Sequence, residues 1–80
     1  MDYTIGEITL FAFPFAPVGW MSCEGQILTI AQNQALFSLI GATYGGDGRT
    51  TFALPNLKGA EPVPQMKYYI AVQGIYPQRN

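Results

Sequence analysis

Thr29-Ile30-Ala31-Gln32-Asn33-Gln34-Ala35-Leu36-Phe37-Ser38-Leu39-Ile40-Gly41 is the stretch on which the architecture turns. Thr29 followed three residues later by Gln32 has the form of a capping box, in which each side chain satisfies a backbone N–H of the first turn. Leu36, Leu39 and Ile40 recur at helical spacing with Phe37 beside them, and Gly41 is placed to end the helix in a left-handed conformation. The pattern predicts a helix over 31–40 that packs Leu36, Leu39 and Ile40 on a small sheet.

The sheet is sought on either side. Ile5 to Phe13 alternates, with Ile8, Leu10 and Ala12 on one face and Glu7, Thr9 and Phe11 on the other, as a strand requires. Pro14 and Pro17 break that pattern, so Phe13 to Gly19 reads as an irregular loop lined by aromatic residues. Trp20–Cys23 and Gln26–Ile30 read as short strands, and Glu24-Gly25 between them suits a tight hairpin.

Beyond the helix, Tyr44-Gly45-Gly46-Asp47-Gly48-Arg49 is too rich in glycine for helix or strand and reads as a sharp structural turn built on Gly45, Gly46, Asp47 and Gly48. Thr50-Thr51-Phe52 is a short extended stretch. Leu54-Pro55-Asn56-Leu57 and Glu61-Pro62-Val63-Pro64 read as turn and connector. Met66 to Ile75 closes the chain as a strand, with Tyr68, Ile70 and Val72 on one face and Tyr69, Ala71 and Gln73 on the other. The sum is one α+β domain over residues 1–80: short strands, a hairpin, and one helix on the sheet.

Eighty residues hold one domain with a thin stability margin. Domains this small gain stability from disulfides, a metal or self-association. Cys23 is the only cysteine and the chain has no histidine, so neither a disulfide within the chain nor a tetrahedral zinc site is expected. Charged residues make up 11% of the chain, against roughly 25% in ordinary soluble domains, while aromatics reach 14%. So little charge leaves apolar surface to meet another subunit or a ligand. A net charge of −1, with Arg49, Lys58, Lys67 and Arg79 dispersed, gives no footprint for nucleic acid. No apolar run reaches the roughly 20 residues of a membrane span. The start, Met-Asp-Tyr-Thr, lacks the basic-then-apolar pattern of a signal peptide.

Catalytic and ligand motifs are weak. Gly48-Arg49-Thr50 faintly echoes the Gly-Lys-Thr of a phosphate loop, but Thr43 stands where the first glycine belongs, Arg49 replaces lysine, and the segment follows a helix. Cys23-Glu24 lacks the histidine or electropositive setting that makes a thiolate, so Cys23 reads as a small apolar strand residue. Asp2, Glu7, Glu24, Asp47 and Glu61 are far apart in sequence; two could converge as a glycosidase pair, which spacing does not show. Asp47 alone is thin support for calcium. Neither a metal nor a cofactor is expected. Trp20, Tyr68 and Tyr69 combine an apolar body with a polar tip, and suit either a subunit contact or a sugar-stacking surface.

Taken in order, Ile5-Gly6-Glu7-Ile8, Phe15-Ala16-Pro17-x-Gly19-Trp20, Cys23-x-Gly25-Gln26, Gln32-Asn33-x-Ala35-Leu36-Phe37-Ser38-Leu39-Ile40-Gly41, Tyr44-Gly45-Gly46-Asp47-Gly48 and Phe52-x-Leu54-Pro55-Asn56-Leu57 resemble the phage tail collar domain family, a group that includes proteins called microcystin-dependent. The resemblance covers about residues 5–59, with an echo in the closing strand over 66–77. It implies a mixed α/β collar fold and a non-enzymatic structural or assembly role in tail fibres or related appendages. It also implies self-association, with a trimer favoured, other tail proteins as further partners, and a virion or tail-like particle assembled in the bacterial cytoplasm. Longer family members carry a substantial segment where Lys58 to Gln65 here joins two parts directly, so functions residing in that segment do not carry over. The alternative is a module that binds carbohydrate or a host surface through exposed aromatics.

Overall fold

The computed structural model describes residues 3–78. In chain order it contains β1 (Ile8–Phe11), β2 (Trp20–Ser22), β3 (Ile27–Thr29), α1 (Gln34–Ile40), β4 (Thr51–Ala53) and β5 (Lys67–Ala71). The closing strand, β5, lies in the middle of a three-stranded antiparallel sheet ordered β1-β5-β2, and β3 and β4 form a separate antiparallel pair. A small α+β domain of mostly antiparallel strands with one short helix is thus observed.

The centre belongs to β5 because both of its faces are apolar. Ile70 joins Ile5, Cys23, Leu36, Phe52 and Leu54 in one buried cluster, against which Tyr68 and Val72 also pack. Tyr69 and Ala71 point the other way and join Trp20, with Phe11 and Tyr3 packed at the side. A strand with two apolar faces gains most when neighbours shield it on both sides, each buried large side chain being worth about 1.5–3 kcal/mol.

That preference overrides the expected hairpin. β2 and β3 do not pair with each other: β2 pairs with β5 and β3 with β4. Instead of turning back at Glu24-Gly25, the chain crosses from one sheet to the other. There it runs beside the Leu-Pro-Asn-Leu segment, with the Leu57 N–H donating to the Cys23 carbonyl at 2.8 Å and Leu54 N–H to Gln26 at 2.9 Å. Leu54 and Pro55 are buried, so this segment is core and not merely a connector.

β1 is shorter than its sequence pattern. The Gly6 N–H donates to the Ala71 carbonyl at 2.8 Å, while the Ala71 N–H donates to Glu7 at 2.9 Å. Two residues therefore face one, a bulge whose first position needs the φ of +88° that Gly6 adopts. Regular pairing begins only at Ile8, and it ends before Pro14.

The helix also starts late. Ile30 still donates to Thr50 at 3.0 Å, extending the β3–β4 ladder, so Thr29 is held in a strand and no capping box forms. Asn33 stands at the helix start without a side-chain cap; its Nδ2 donates back to the Thr29 carbonyl at 2.9 Å. Gly41 closes the helix by donating its N–H to the Phe37 carbonyl at 2.8 Å; its φ of +59° is left-handed, but its ψ of −154° is not.

Leu36 is fully buried, and Phe37 and Ile40 pack on the same cluster, Phe37 meeting Phe52 edge-on at 5.4 Å. Leu39 stays 37% exposed, contrary to its expected place in the core. At about 100° per residue, Leu36, Phe37 and Ile40 point to one side, and Leu39 lies roughly 100° round from their mean direction. Leu39 caps the rim near Gly6 instead.

Candidate functional site

From Ile8 through Cys23 the chain carries no charged residue. Phe11, Phe13 and Phe15 are spaced two apart, which in extended backbone sets their rings on one side. They stack in sequence: Phe11 on Phe13 at 5.1 Å and 21°, Phe13 on Phe15 at 4.9 Å and 29°. Trp20 meets Phe11 edge-on at 5.1 Å, and Tyr3 tilts against Trp20 at 5.0 Å. A continuous ladder of rings thus runs from the buried Trp20 outward to Phe15, which is 65% exposed. Val18, 86% exposed, stands on the same loop.

The loop between β1 and β2 is tied down at several points. Tyr69 Oη donates to the Phe13 carbonyl at 3.0 Å and Tyr3 Oη to the Val18 carbonyl at 3.0 Å. Trp20 N–H donates to Pro17 at 3.0 Å, and the Gly19 carbonyl accepts from Val72 and Gln73. Pro14 and Pro17 restrict the backbone further. The result is an anchored apolar prominence that carries no charged side chain.

Of the aromatic residues singled out in the sequence, Trp20 and Tyr69 lie at the inner end of this ladder and Tyr68 on the opposite face of β5. Trp20 and Tyr69 are buried, and Tyr68 is half-buried against the main cluster. Their position around the central strand, covered on both faces, removes Trp20 and Tyr69 from any exposed stacking platform. The exposed rings are Phe15, Tyr44 and Tyr76. Phe15 and Val18 were legible as candidates in one respect: a proline-bracketed apolar run without charge has no local reason to be buried.

The glycine-rich turn is organised by Asp47. Its Oδ1 accepts from the backbone N–H groups of Arg49, Thr50 and Thr51 at 2.8, 2.8 and 2.9 Å, and its Oδ2 accepts from Thr50 Oγ1 at 2.8 Å. These donors hold the carboxyl well below the usual carboxylate range, the Thr51 amide contributing most. Gly46 lies against β4: a Cβ there would stand 2.7 Å from the Phe52 nitrogen and the Thr51 oxygen. Gly45 accepts from Ala53 and Gly48 donates to Thr51, so the turn covers the outer edge of β4.

The remaining carboxylates are occupied locally. Glu7 accepts from Thr4 and Thr9, Glu61 from Gly59, and Glu24 faces Lys67 at 3.9 Å. None of these contacts joins two carboxylates; Asp2, like Arg79, lies outside the described residues. Burial pushes the Cys23 thiol up to about 11, the opposite of an activated nucleophile. Among the described residues there is no cavity, no cluster of potential metal ligands, and no helix long and apolar enough to cross a membrane.

A protein-family model described as Phage Tail Collar Domain matches residues 6–62. The match takes in the apolar loop, the helix and the glycine-rich turn, and stops short of β5. No curated protein matches the chain.

Proposed function

The chain belongs to the phage tail collar domain family, which suggests a tail-fibre structural module, and from that premise we propose that it works as a non-enzymatic assembly unit by associating with copies of itself through the apolar loop. The observation that carries this reading is the anchored prominence bearing Phe15 and Val18 in a run without charge. Covering one such side chain on association is worth about 1.5–3 kcal/mol, and the anchored backbone loses little further entropy on docking.

The family is one of structural tail modules, and the residues with chemical potential are committed to holding the fold. Asp47 braces a turn and Cys23 is a buried neutral thiol. The module would act in a phage tail or a related particle, with other tail proteins as its further neighbours. The exposed surface of the loop offers phenylalanine, valine, alanine and proline, and a glycan would find few polar side chains there to orient it.

Light scattering across a dilution series tests the reading. Self-association is expected at micromolar concentration, and Phe15→Ser is expected to weaken it by about tenfold or more, in line with losing one buried aromatic anchor. A monomer at every concentration would overturn it.

A further inference from the structure

The apolar loop hangs from two tyrosine hydroxyls. Tyr69 Oη donates to the Phe13 carbonyl and Tyr3 Oη to the Val18 carbonyl, each at 3.0 Å. Residues 14–17 lie between these points, and Pro14 and Pro17, with their fixed φ, stand next to them. A loop pinned at both ends and stiffened inside has few conformations left to lose.

The two anchors are built differently. Tyr69 is 1% exposed and belongs to β5, which is paired on both sides. Tyr3 is half-buried and precedes β1. Its segment meets the chain beyond β5 in an isolated parallel bridge between Thr4 and Ile75. Two bonds make that bridge: Ile5 N–H to the Ile75 carbonyl at 2.9 Å, and Ile75 N–H to the Tyr3 carbonyl at 3.0 Å. Freeing Tyr69 means breaking the sheet, whereas freeing Tyr3 means opening one bridge. Local opening therefore begins at Tyr3.

The residues around Tyr3 form a socket shaped to it. Its ring lies 5.0 Å from that of Trp20, tilted by 49°. A Cβ at Gly19 would collide with the Tyr3 hydroxyl. A Cβ at Gly74 would stand 2.6 Å from the Tyr3 carbonyl oxygen and 3.0 Å from its Cδ2. Gly19 thus admits the hydroxyl end of the residue and Gly74 its backbone end, so Tyr3 spans from the segment beyond β5 to the loop. The Gly19 carbonyl ties the same two segments together, accepting from Val72 at 2.8 Å and from Gln73 at 3.2 Å.

We infer that Tyr3 is the positioning residue of the assembly loop. Seated in its socket, it fixes the backbone at Val18, and the side chain of that same residue, 86% exposed, is held out with Phe15 for contact. This inference rests on the self-association proposed above and names the residue that sets its contact surface. The surface remains the loop. Only loops in the seated form associate, so releasing Tyr3 lowers the apparent affinity by the fraction released.

Tyr3→Phe tests this, because it keeps the ring against Trp20 and removes the atom that reaches Val18. Light scattering across a dilution series, under conditions where both proteins are fully folded, should show association weakened by about two- to tenfold, as the loss of one hydrogen bond implies. A merely structural role would lower stability and leave association between folded molecules unchanged. Hydrogen exchange supplies the second measurement. The amides of Trp20, Val72 and Gln73, which bond to Pro17 and Gly19, should speed up relative to that of Ile30, which bonds to Thr50 in the other sheet. Unchanged association of Tyr3→Phe, beside an unmodified protein that does associate, overturns the inference and leaves self-association standing. Exchange faster by the same factor at all four amides also overturns it, since the hydroxyl then serves the whole fold. An unmodified protein that is a monomer at every concentration discards self-association, and this inference with it.

Discussion

The Tyr69 hydroxyl donates to the Phe13 carbonyl at 3.0 Å, joining residues 56 positions apart in the sequence. Its ring packs at 5.5 Å from Phe11 beneath the aromatic ladder. Burying the ring and anchoring the apolar loop are therefore a single structural event, and the strand at the centre of the sheet holds the surface that we assign to assembly. Burial, helped by the negative charge of Glu24, raises the pKa of the phenol.

Tyr69→Phe keeps the ring and removes this one bond. A loss of about 0.5–1.5 kcal/mol is expected in chemical denaturation, since the carbonyl left behind sits in a loop that water can reach. Hydrogen exchange should show faster opening of the segment from Phe13 to Val18. An unchanged stability together with unchanged exchange would mean that the bond does not anchor the loop.

Leu36 and Leu39 provide a contrast within one short helix. Leu36→Ala should cost about 2–5 kcal/mol, because the side chain is fully buried in a cluster that draws on both sheets and its loss leaves a cavity. Leu39→Ala should cost less than about 1 kcal/mol, as expected of a partly exposed rim position. Urea titration of both variants reads the difference, and equal losses would contradict the helix orientation.

Gly46 and Gly59 both have positive φ, +86° and +90°, but differ in surroundings. A Cβ at Gly59 meets nothing within 4 Å, so Gly59→Ala should cost only backbone strain, roughly 1–2 kcal/mol. Gly46→Ala adds a clash with the backbone of Thr51 and Phe52, and should cost roughly 2–5 kcal/mol. Thermal melts of the two variants separate strain from crowding.

Asp47 makes stability depend on acid in a defined direction. Its carboxyl binds a proton less tightly in the folded turn than in the unfolded chain, so its contribution is present above about pH 4 and is lost as pH falls below that. Denaturation midpoints between about pH 2 and 6 should therefore fall less steeply with acid for Asp47→Asn than for the unmodified protein. Parallel curves would show that the bonds to Arg49, Thr50 and Thr51 do not hold the carboxylate ionised.

Cys23 gives the opposite sign. Its pKa is raised to about 11 from 9.0, so the stability due to burying the neutral thiol is present below pH 9 and is lost as pH rises toward 11. At about pH 8, iodoacetamide should label Cys23 slowly in the native protein and quickly in denaturant. Fast native labelling would place the thiol at the surface.

Much of the architecture was legible in local pattern. The alternation in Met66–Ile75 assigns Tyr68, Ile70 and Val72 to one cluster and Tyr69 and Ala71 to the other. Gly41 marks the end of the helix, and Gly45, Gly46, Asp47 and Gly48 mark the turn. The capping box at Thr29 and Gln32 was a misleading signal, because capping chemistry is read over four residues while Thr29 belongs to a ladder with Thr51. Trp20 and Tyr69 misled in the same way: an aromatic with a polar tip suits a surface, and only its neighbours decide whether it has one.

The sequence by itself determined roughly where the strands and the helix form and which side chains of the closing strand share a face, since both follow from bond geometry acting over a few residues. It also determined that the segment from Ile8 to Cys23 could not cover itself with charge. Tertiary structure alone decided that β5 enters between β1 and β2, and that β2 and β3 fall into different sheets. That choice compares apolar area buried by competing pairings far apart in the chain. It is what sinks Trp20 and Tyr69 and leaves Phe15 and Val18 at the surface.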